Sequence, residues 1–403
     1  MLRKKNSRPS LSRKEIIKRF RLSIPCVIIC LIVALVAGCE RAGDSRDFSI
    51  KIQQEIEAAV QSNLAAFGGN KSVPGVVIGI WAPGKGEYVR GIGYSDIAAH
   101  KALDPHDKFR VGSNTKTFVV TVILQLVDDE KYQITLDDTL DQFELGVDIP
   151  NAGDITVRQL CNMTSGLFEV YNAPQLEKIF KDITPRTRVD VRELVTLAVK
   201  NPPDFPPGKG WYYSNTGYLI LGLIIEAVTK NRVEDEIRNR LLVPYGLKNT
   251  SFPVDDPDMP VPCSRGYTLD KKGNWEDHTV MFPPSLTWSA GVMISDMYDM
   301  KKWVKAYVAG STNSEAIQKE RLECVDTGRE NMGFGLGIGC TGGWYGYTGG
   351  IEGYNTAAYY LPEEDATIIA FVNSQREKPS PGVANSIVRD ITKILFPQHV
   401  AFY

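Results

Sequence analysis

Ser113 and Lys116 stand three residues apart in Phe109-Arg110-Val111-Gly112-Ser113-Asn114-Thr115-Lys116-Thr117-Phe118, ahead of an apolar run over 119–127. A glycine, a serine and then a long apolar stretch predict a helix whose first turn begins at about Ser113. Residues three apart on a helix share a face, with Cβ atoms roughly 5–6 Å apart. The hydroxyl and the amine therefore meet at the positive end of a helix dipole, which disfavours an ammonium. Burial lowers a lysine pKa in the same direction. A neutral amine beside a hydroxyl is a base beside a nucleophile. Alone, the pair also reads as a capping serine and a surface lysine, so the rest of the chain must decide.

Two further clusters supply what a nucleophile needs. Tyr213-Ser214-Asn215 lies in a loop just before an apolar helix, and Tyr347-Thr348-Gly349-Gly350 borders a strand. Acyl transfer requires a nucleophile, a proton shuttle and donors for the oxyanion. Ser113 fits the first role, and Lys116 with the Tyr213 phenol can carry the proton to the leaving group. Backbone N–H groups of Ser113 and Gly350 are the candidate oxyanion donors, a glycine there letting substrate lie close against the strand. Asn215 offers an amide to a substrate carbonyl, and Thr348 a hydroxyl to a carboxylate. No histidine lies in or beside these clusters and no G-x-S-x-G occurs, so a Ser-His-Asp arrangement fits worse. There is no C-x-x-C, and His100, His106, His278 and His399 show no ligand spacing, so no metal is expected.

The elements that must carry these residues follow from periodicity. Ile52, Ile56, Val60, Leu64 and Phe67 recur at helical spacing. Residues 76–81 and 88–93, joined by Pro83-Gly84-Lys85-Gly86, predict a hairpin. From Ser113 the texture turns helical, with short helices near Ile155–Leu160, over Thr216–Thr229 and over Glu234–Leu242. Near residue 331 it changes again: 332–338, 356–360 and 367–372 read as strands, and 383–395 as a closing helix. The expected fold class is α+β, an antiparallel sheet made from both chain ends and flanked by N- and C-terminal helices, with a large all-α insert. On this reading residues 48–398 form one catalytic domain, its α/β part at 48–108 and 330–398 and its helical lobe at 109–329. No internal repeat occurs.

The N-terminus reads as an address. Nine basic residues precede the uncharged 17-residue run Leu22–Gly38, the pattern of an export signal. Val36-Ala37-Gly38-Cys39 resembles the lipobox of bacterial lipoproteins, with Cys39 acylated; the alternative is an uncleaved anchor. Residues 1–38 are thus expected to be the signal and 39–47 a polar tether, placing the catalytic part outside the cytoplasm and at a membrane. Without residues 1–38 the chain keeps 37 basic against 47 acidic residues, a net charge of −10. Nothing there suggests nucleic acid as a partner. Of the remaining cysteines, Cys324 and Cys340 are the preferred pair in an oxidising compartment, with Cys161 read as a buried thiol and Cys263 left open.

The three clusters resemble the S-x-x-K, Y-x-N and H/K-T-G motifs of the penicillin-recognising serine hydrolases, best among them the D-alanyl-D-alanine carboxypeptidases and class C β-lactamases. Thr164-Ser165-Gly166-Leu167, Ser289-Ala290-Gly291 and Gly353-Tyr354 agree with the same pattern, and the likeness covers roughly residues 50–395. The resemblance implies an acyl-enzyme on Ser113 with Lys116 and Tyr213 as catalytic groups. It further implies that Asn215, Tyr347, Thr348, Gly349 and Gly350 bind substrate and that no cofactor is used; a monomer is expected. The activity it implies first is D-alanyl-D-alanine carboxypeptidase on cell-wall peptides. β-Lactamase, serine esterase and D-aminopeptidase share the pattern, and a silent penicillin-binding or sensor protein is the non-enzymatic alternative. Small peptides, β-lactams or esters are the expected substrates. Two departures bear on that choice. Tyr347 replaces the usual His or Lys and is neutral at pH 7, and no basic residue stands between Arg329 and Tyr347. Trp211, Tyr212, Trp288 and Tyr354 read as packing residues.

Overall fold

β1 (Gly75–Ala82) divides its side chains between two cores, Val76, Ile78 and Ile80 on one face and Val77 and Trp81 on the other. A strand with both faces apolar must lie inside a layered fold. The computed structural model describes residues 47–69, 73–280, 282–375 and 382–401. The expected signal, the lipobox with Cys39 and all of the tether but Asp47 fall outside them. Among the described residues no helix is long and apolar enough to cross a membrane.

The main sheet has nine strands, all pairing antiparallel. β1, β2 (Gly86–Asp96) and β3 (Lys101–Ala102) come from the N-terminal side. β8 (Val325–Arg329), β9 (Met332–Gly335), β10 (Ile338–Thr341), β11 (Trp344–Ile351), β12 (Tyr354–Leu361) and β13 (Ala366–Val372) come from the C-terminal side. The order is β3-β2-β1-β13-β12-β11-β10-β9-β8, so β1 and β13 join the chain ends in the middle. α1 (Ile50–Ala66) lays Ile56, Val60 and Leu64 on one face, beside Val383, Ile387 and Ile391 of α11 (Val383–Leu395).

The other face carries the insert. Its centre is α2 (Thr115–Asp128), apolar on nearly every side and buried from Thr115 through Leu124. Such a helix belongs in the interior. It packs against α6 (Asn215–Thr229) and α8 (Trp288–Gly291). Around them lie α3 (Val157–Cys161), α4 (Leu176–Asp182), α5 (Val191–Val199), α7 (Val233–Ile237), α9 (Met297–Val308) and α10 (Glu315–Leu322).

The insert is not all helical. β4 (Phe109–Arg110) pairs with β7 (Ile294–Ser295), and β5 (Tyr267–Leu269) with β6 (Trp275–Asp277). These ladders are two or three residues long, too short for alternation to reveal. The second half of the sheet begins at Val325, ahead of the expected boundary at 330, because β8 is an edge strand of Val-Asp-Thr-Gly-Arg with little apolar signal. The stretch 332–338 forms not one strand but the β9–β10 hairpin, turning at Leu336-Gly337.

Cys324 and Cys340 are joined in a disulfide, while Cys161 and Cys263 are free. The bond ties the entry of β8 to β10 across a sequence separation of 16. In the chain-entropy account a loop of that size contributes about 3 kcal/mol. Replacing both cysteines by alanine should lower unfolding stability by about that amount in urea titrations. The same fall should follow adding reductant to the native chain.

Candidate active site

Ser113 sits on a single 3₁₀ turn, Gly112–Asn114, that leads straight into α2. The turn is tied down on several sides. Thr115 Oγ1 donates to the Gly112 carbonyl at 2.7 Å and accepts from the Met293 amide at 3.0 Å. Asn114 Nδ2 donates to Thr356 Oγ1 at 3.0 Å, which fixes the turn to β12. The sheet and the turn approach closely: a Cβ on Gly349 would lie 2.0 Å from the Val111 carbonyl oxygen. Gly112 has φ +51°, and a Cβ there would lie 3.1 Å from Gly350. Glycine at 112 and 349 is therefore a condition for Ser113 to stand against β11.

Lys116 has no exposed surface. Its Nζ lies 3.0 Å from Ser113 Oγ, 2.8 Å from Asn215 Oδ1 and 2.5 Å from the Ala290 carbonyl oxygen. Removal from water pushes its pKa from 10.5 down to about 7, against the pull of the Glu169 carboxylate, which raises it. A neutral amine has two N–H groups and one lone pair. The two carbonyl oxygens, of Asn215 and Ala290, take the two donors, which leaves the lone pair for the Ser113 hydroxyl.

The Tyr213 hydroxyl donates to Ser113 Oγ at 2.6 Å. Burial holds this phenol well above its ordinary pKa, so it is a proton donor and not a phenolate at rest. Its position follows from local sequence. Ser214 caps α6 by accepting from the Gly217 amide at 3.1 Å, so Tyr213 and Asn215 flank the cap on either side. The hydroxyl, the amine and the phenol named from the sequence thus meet at one oxygen.

Glu169, which the motifs did not single out, organises the second cluster. Only 6% exposed, it accepts from the Asn215 amide at 2.5 Å, from Asn215 Nδ2 at 3.0 Å and from the Tyr171 amide at 3.2 Å. That fixes the Asn215 side chain with its oxygen toward Lys116. The available signal was a lone carboxylate inside the apolar stretch Leu167-Phe168-Glu169-Val170.

A cavity of about 670 Å³ opens over Ser113, and Tyr213, Asn215, Thr348 and Gly350 also line it. Gly349 and Tyr347 do not. Gly349 serves the close approach to Val111 instead. Tyr347 is 4% exposed, sets its ring edge-on to Phe334 at 5.7 Å, and places its hydroxyl beside those of Tyr213 and Tyr218. Burial raises its pKa far above the usual phenol value, with Tyr213 as the nearest of its ionisable neighbours in effect. Its ring belongs with the core behind Tyr213 and not with the cleft wall. Arg110, buried and beside the cavity, donates to the carbonyls of Pro257 at 2.5 Å and Thr279 at 3.0 Å.

The other aromatics are mostly structural. Trp211 packs on Phe334, Tyr354 donates its hydroxyl to the Ser264 carbonyl at 3.0 Å, and Trp288 is buried. Tyr212 is exposed and outside the cavity lining. The Cys161 thiol is buried, its pKa pushed up to about 12. No group of three or more metal-ligating side chains occurs among the described residues.

A family model described as Beta-lactamase matches residues 60–393. The chain belongs to the beta-lactamase family. PbpX of Bacillus subtilis (strain 168) is 26% identical over 303 residues, covering 74% of this chain and 70% of PbpX. A D-stereospecific amidohydrolase from Streptomyces sp. has a similar structure, with a TM-score of 0.71 at 27% identity over 84% of this chain and 98% of the other. A D-amino acid amidase from Ochrobactrum anthropi SV3, solved with L-phenylalanine amide, shares the fold at a TM-score of 0.71 and 23% identity, over 86% and 97%.

In this serine hydrolase fold, Lys116→Ala should cut the acylation rate of Ser113 by about a thousandfold or more, read by stopped-flow with an activated ester, while the circular dichroism spectrum is kept. Glu169→Gln removes a charge that favours the lysine ammonium. The Lys116 pKa should then fall further, and the rise of acylation rate with pH should move to lower pH. The same substitution should cost about 1–3 kcal/mol of stability in thermal unfolding, because the amide cannot accept from three donors equally.

Proposed function

We propose that the protein is an extracytoplasmic, membrane-tethered serine hydrolase that forms an acyl-enzyme on Ser113 and cleaves amide bonds of D-configured aminoacyl substrates. The observation that carries this reading is the convergence at Ser113 Oγ: a buried amine at 3.0 Å and a phenol at 2.6 Å. As Oγ attacks the carbonyl carbon, its proton passes to the Lys116 lone pair and the oxyanion forms against the N–H groups of Ser113 and Gly350. Tyr213 then gives its proton to the leaving nitrogen, and the phenolate so formed takes one back from the Lys116 ammonium, so the C–N bond breaks with the charge balanced and both side chains return to neutral. Water reverses the sequence and frees the acid. Asn215 holds Lys116 and, with Thr348, contacts the bound acyl group.

The amide reading stands ahead of D-alanyl-D-alanine carboxypeptidase on charge grounds. A free terminal carboxylate needs a cation, and charge-assisted hydrogen bonds are about twice as strong as neutral ones. Tyr347 supplies no charge. Arg110, the arginine among the described cavity-lining residues, already donates to two backbone carbonyls. The D-stereospecific amidohydrolase relative, at 27% identity, supports the same choice. Export and lipidation at Cys39 rest on the sequence of residues 1–39.

Intact-mass measurement after exposure to a β-lactam and a p-nitrophenyl ester should give a covalent adduct that maps to Ser113. Ammonia release from D-aminoacyl amides should exceed D-alanine release from a peptide ending in D-Ala-D-Ala. No adduct from either acyl donor would overturn the serine hydrolase reading, and the reverse order of release would restore the carboxypeptidase.

A further inference from the structure

Three phenols meet behind Ser113. Tyr213 stands just ahead of the α6 cap, Tyr218 lies in the first turn of α6, and Tyr347 reaches them from β11. The Tyr347 hydroxyl lies beside the other two. Successive strand residues face opposite ways, so Thr348 lines the cavity while Tyr347 points into the core. Its ring is held there edge-on by Phe334, which Trp211 covers in turn at 5.7 Å, two residues before Tyr213.

A phenol has one proton to give and lone pairs to receive another. The Tyr213 proton goes to Ser113 Oγ at 2.6 Å, and the Tyr218 proton to the Cys161 carbonyl at 2.8 Å. No carbonyl or carboxylate among the described residues accepts from Tyr347, so its proton is left to the two phenol oxygens. That balance ends when Tyr213 gives up its own proton. Ser113 Oγ is by then an ester oxygen with no hydrogen, and Tyr213 carries a charge. A hydrogen bond to an ion is about twice as strong as one between neutral groups, so the Tyr347 proton turns to Tyr213. Lys116 Nζ, 5.1 Å from the centre of the Tyr213 ring, is the source of the returning proton.

We propose that Tyr347 is a positioning residue for protonation of the leaving group: its hydroxyl holds the Tyr213 phenolate between departure of the Tyr213 proton and its replacement from the Lys116 ammonium. The C–N electron pair leaves with the nitrogen, which takes the Tyr213 proton, and Tyr347 keeps its own O–H bond throughout. This role rests on the acyl-enzyme reading and deepens it. It makes the Tyr347 hydroxyl matter in proportion to the leaving group's need for a proton. An amide nitrogen or an alkoxide needs one, whereas p-nitrophenolate leaves as an anion.

The p-nitrophenyl ester, ethyl ester and amide of one D-amino acid give the same acyl-enzyme with three leaving groups, and kcat/KM reads acylation by each. Tyr347→Phe removes the hydroxyl and keeps the ring against Phe334; thermal unfolding checks that the fold is intact. The substitution should raise the ratio of p-nitrophenyl ester to amide kcat/KM about ten- to a hundredfold, with the ethyl ester in between. In a Tyr213→Phe background it should leave that ratio where Tyr213→Phe alone sets it, because the hydroxyl acts only through Tyr213. Equal losses for all three donors, no loss for any, or a further change of ratio in the Tyr213→Phe background would overturn the role. So would a native chain acylated by the p-nitrophenyl ester alone. Failure of the native chain to form any Ser113 adduct would instead overturn the hydrolase reading on which the role rests.

Discussion

An amine with no water around it holds its proton poorly, and the active centre depends on that fact at Lys116. The side chain is wholly buried among α2, α6 and α8, and desolvation outweighs the attraction of Glu169. The arrangement is costly to the fold. Where the unfolded chain keeps the lysine proton and the native chain has lost it, stability rises with pH. For a pKa shifted from 10.5 to about 7, that window runs between those values, and the penalty is full below it. A buried amine of this kind is retained against a stability cost, which is the pattern of a functional group and not of a packing residue.

Everything near Lys116 serves to keep its lone pair aimed. The carbonyl of Ala290 comes from the short helix α8, and the amide oxygen of Asn215 from the first turn of α6. Glu169 turns that amide so that oxygen, not nitrogen, faces the amine. The sheet contributes the opposite wall: Asn114 reaches across to Thr356 of β12, and Gly349 lets β11 touch the backbone of Val111. The two-core sheet is thus the rigid plate against which a helical lobe presses one serine.

Much of this was legible in the sequence because the responsible signals are local. Ser-x-x-Lys fixes two groups on one helical face. The stretch 383–395 gives the closing helix with its bounds unchanged, whereas the cap of α6 is Ser214 and not Asn215, which the sequence offers for that role. What stayed hidden is set by contacts distant in sequence. Glu169 looks like an interruption in an apolar run until Asn215 comes to meet it, 46 residues on. Tyr347 takes a motif position that invites a binding role, yet its ring is drawn into the core beside Phe334. The short ladder β4–β7 pairs Phe109 with Ser295 and carries no periodicity of its own.

The central claim is that Lys116 is a neutral amine near pH 7, and the most direct measurement is its own titration. Carbon-13 NMR of lysines labelled at Cε, with Lys116 assigned by difference from the Lys116→Ala variant, reads that proton without reference to any substrate. The Lys116 resonance should titrate with its midpoint near 7. A Lys116 resonance that titrates at the ordinary lysine value of 10.5 would contradict a neutral amine at the active centre.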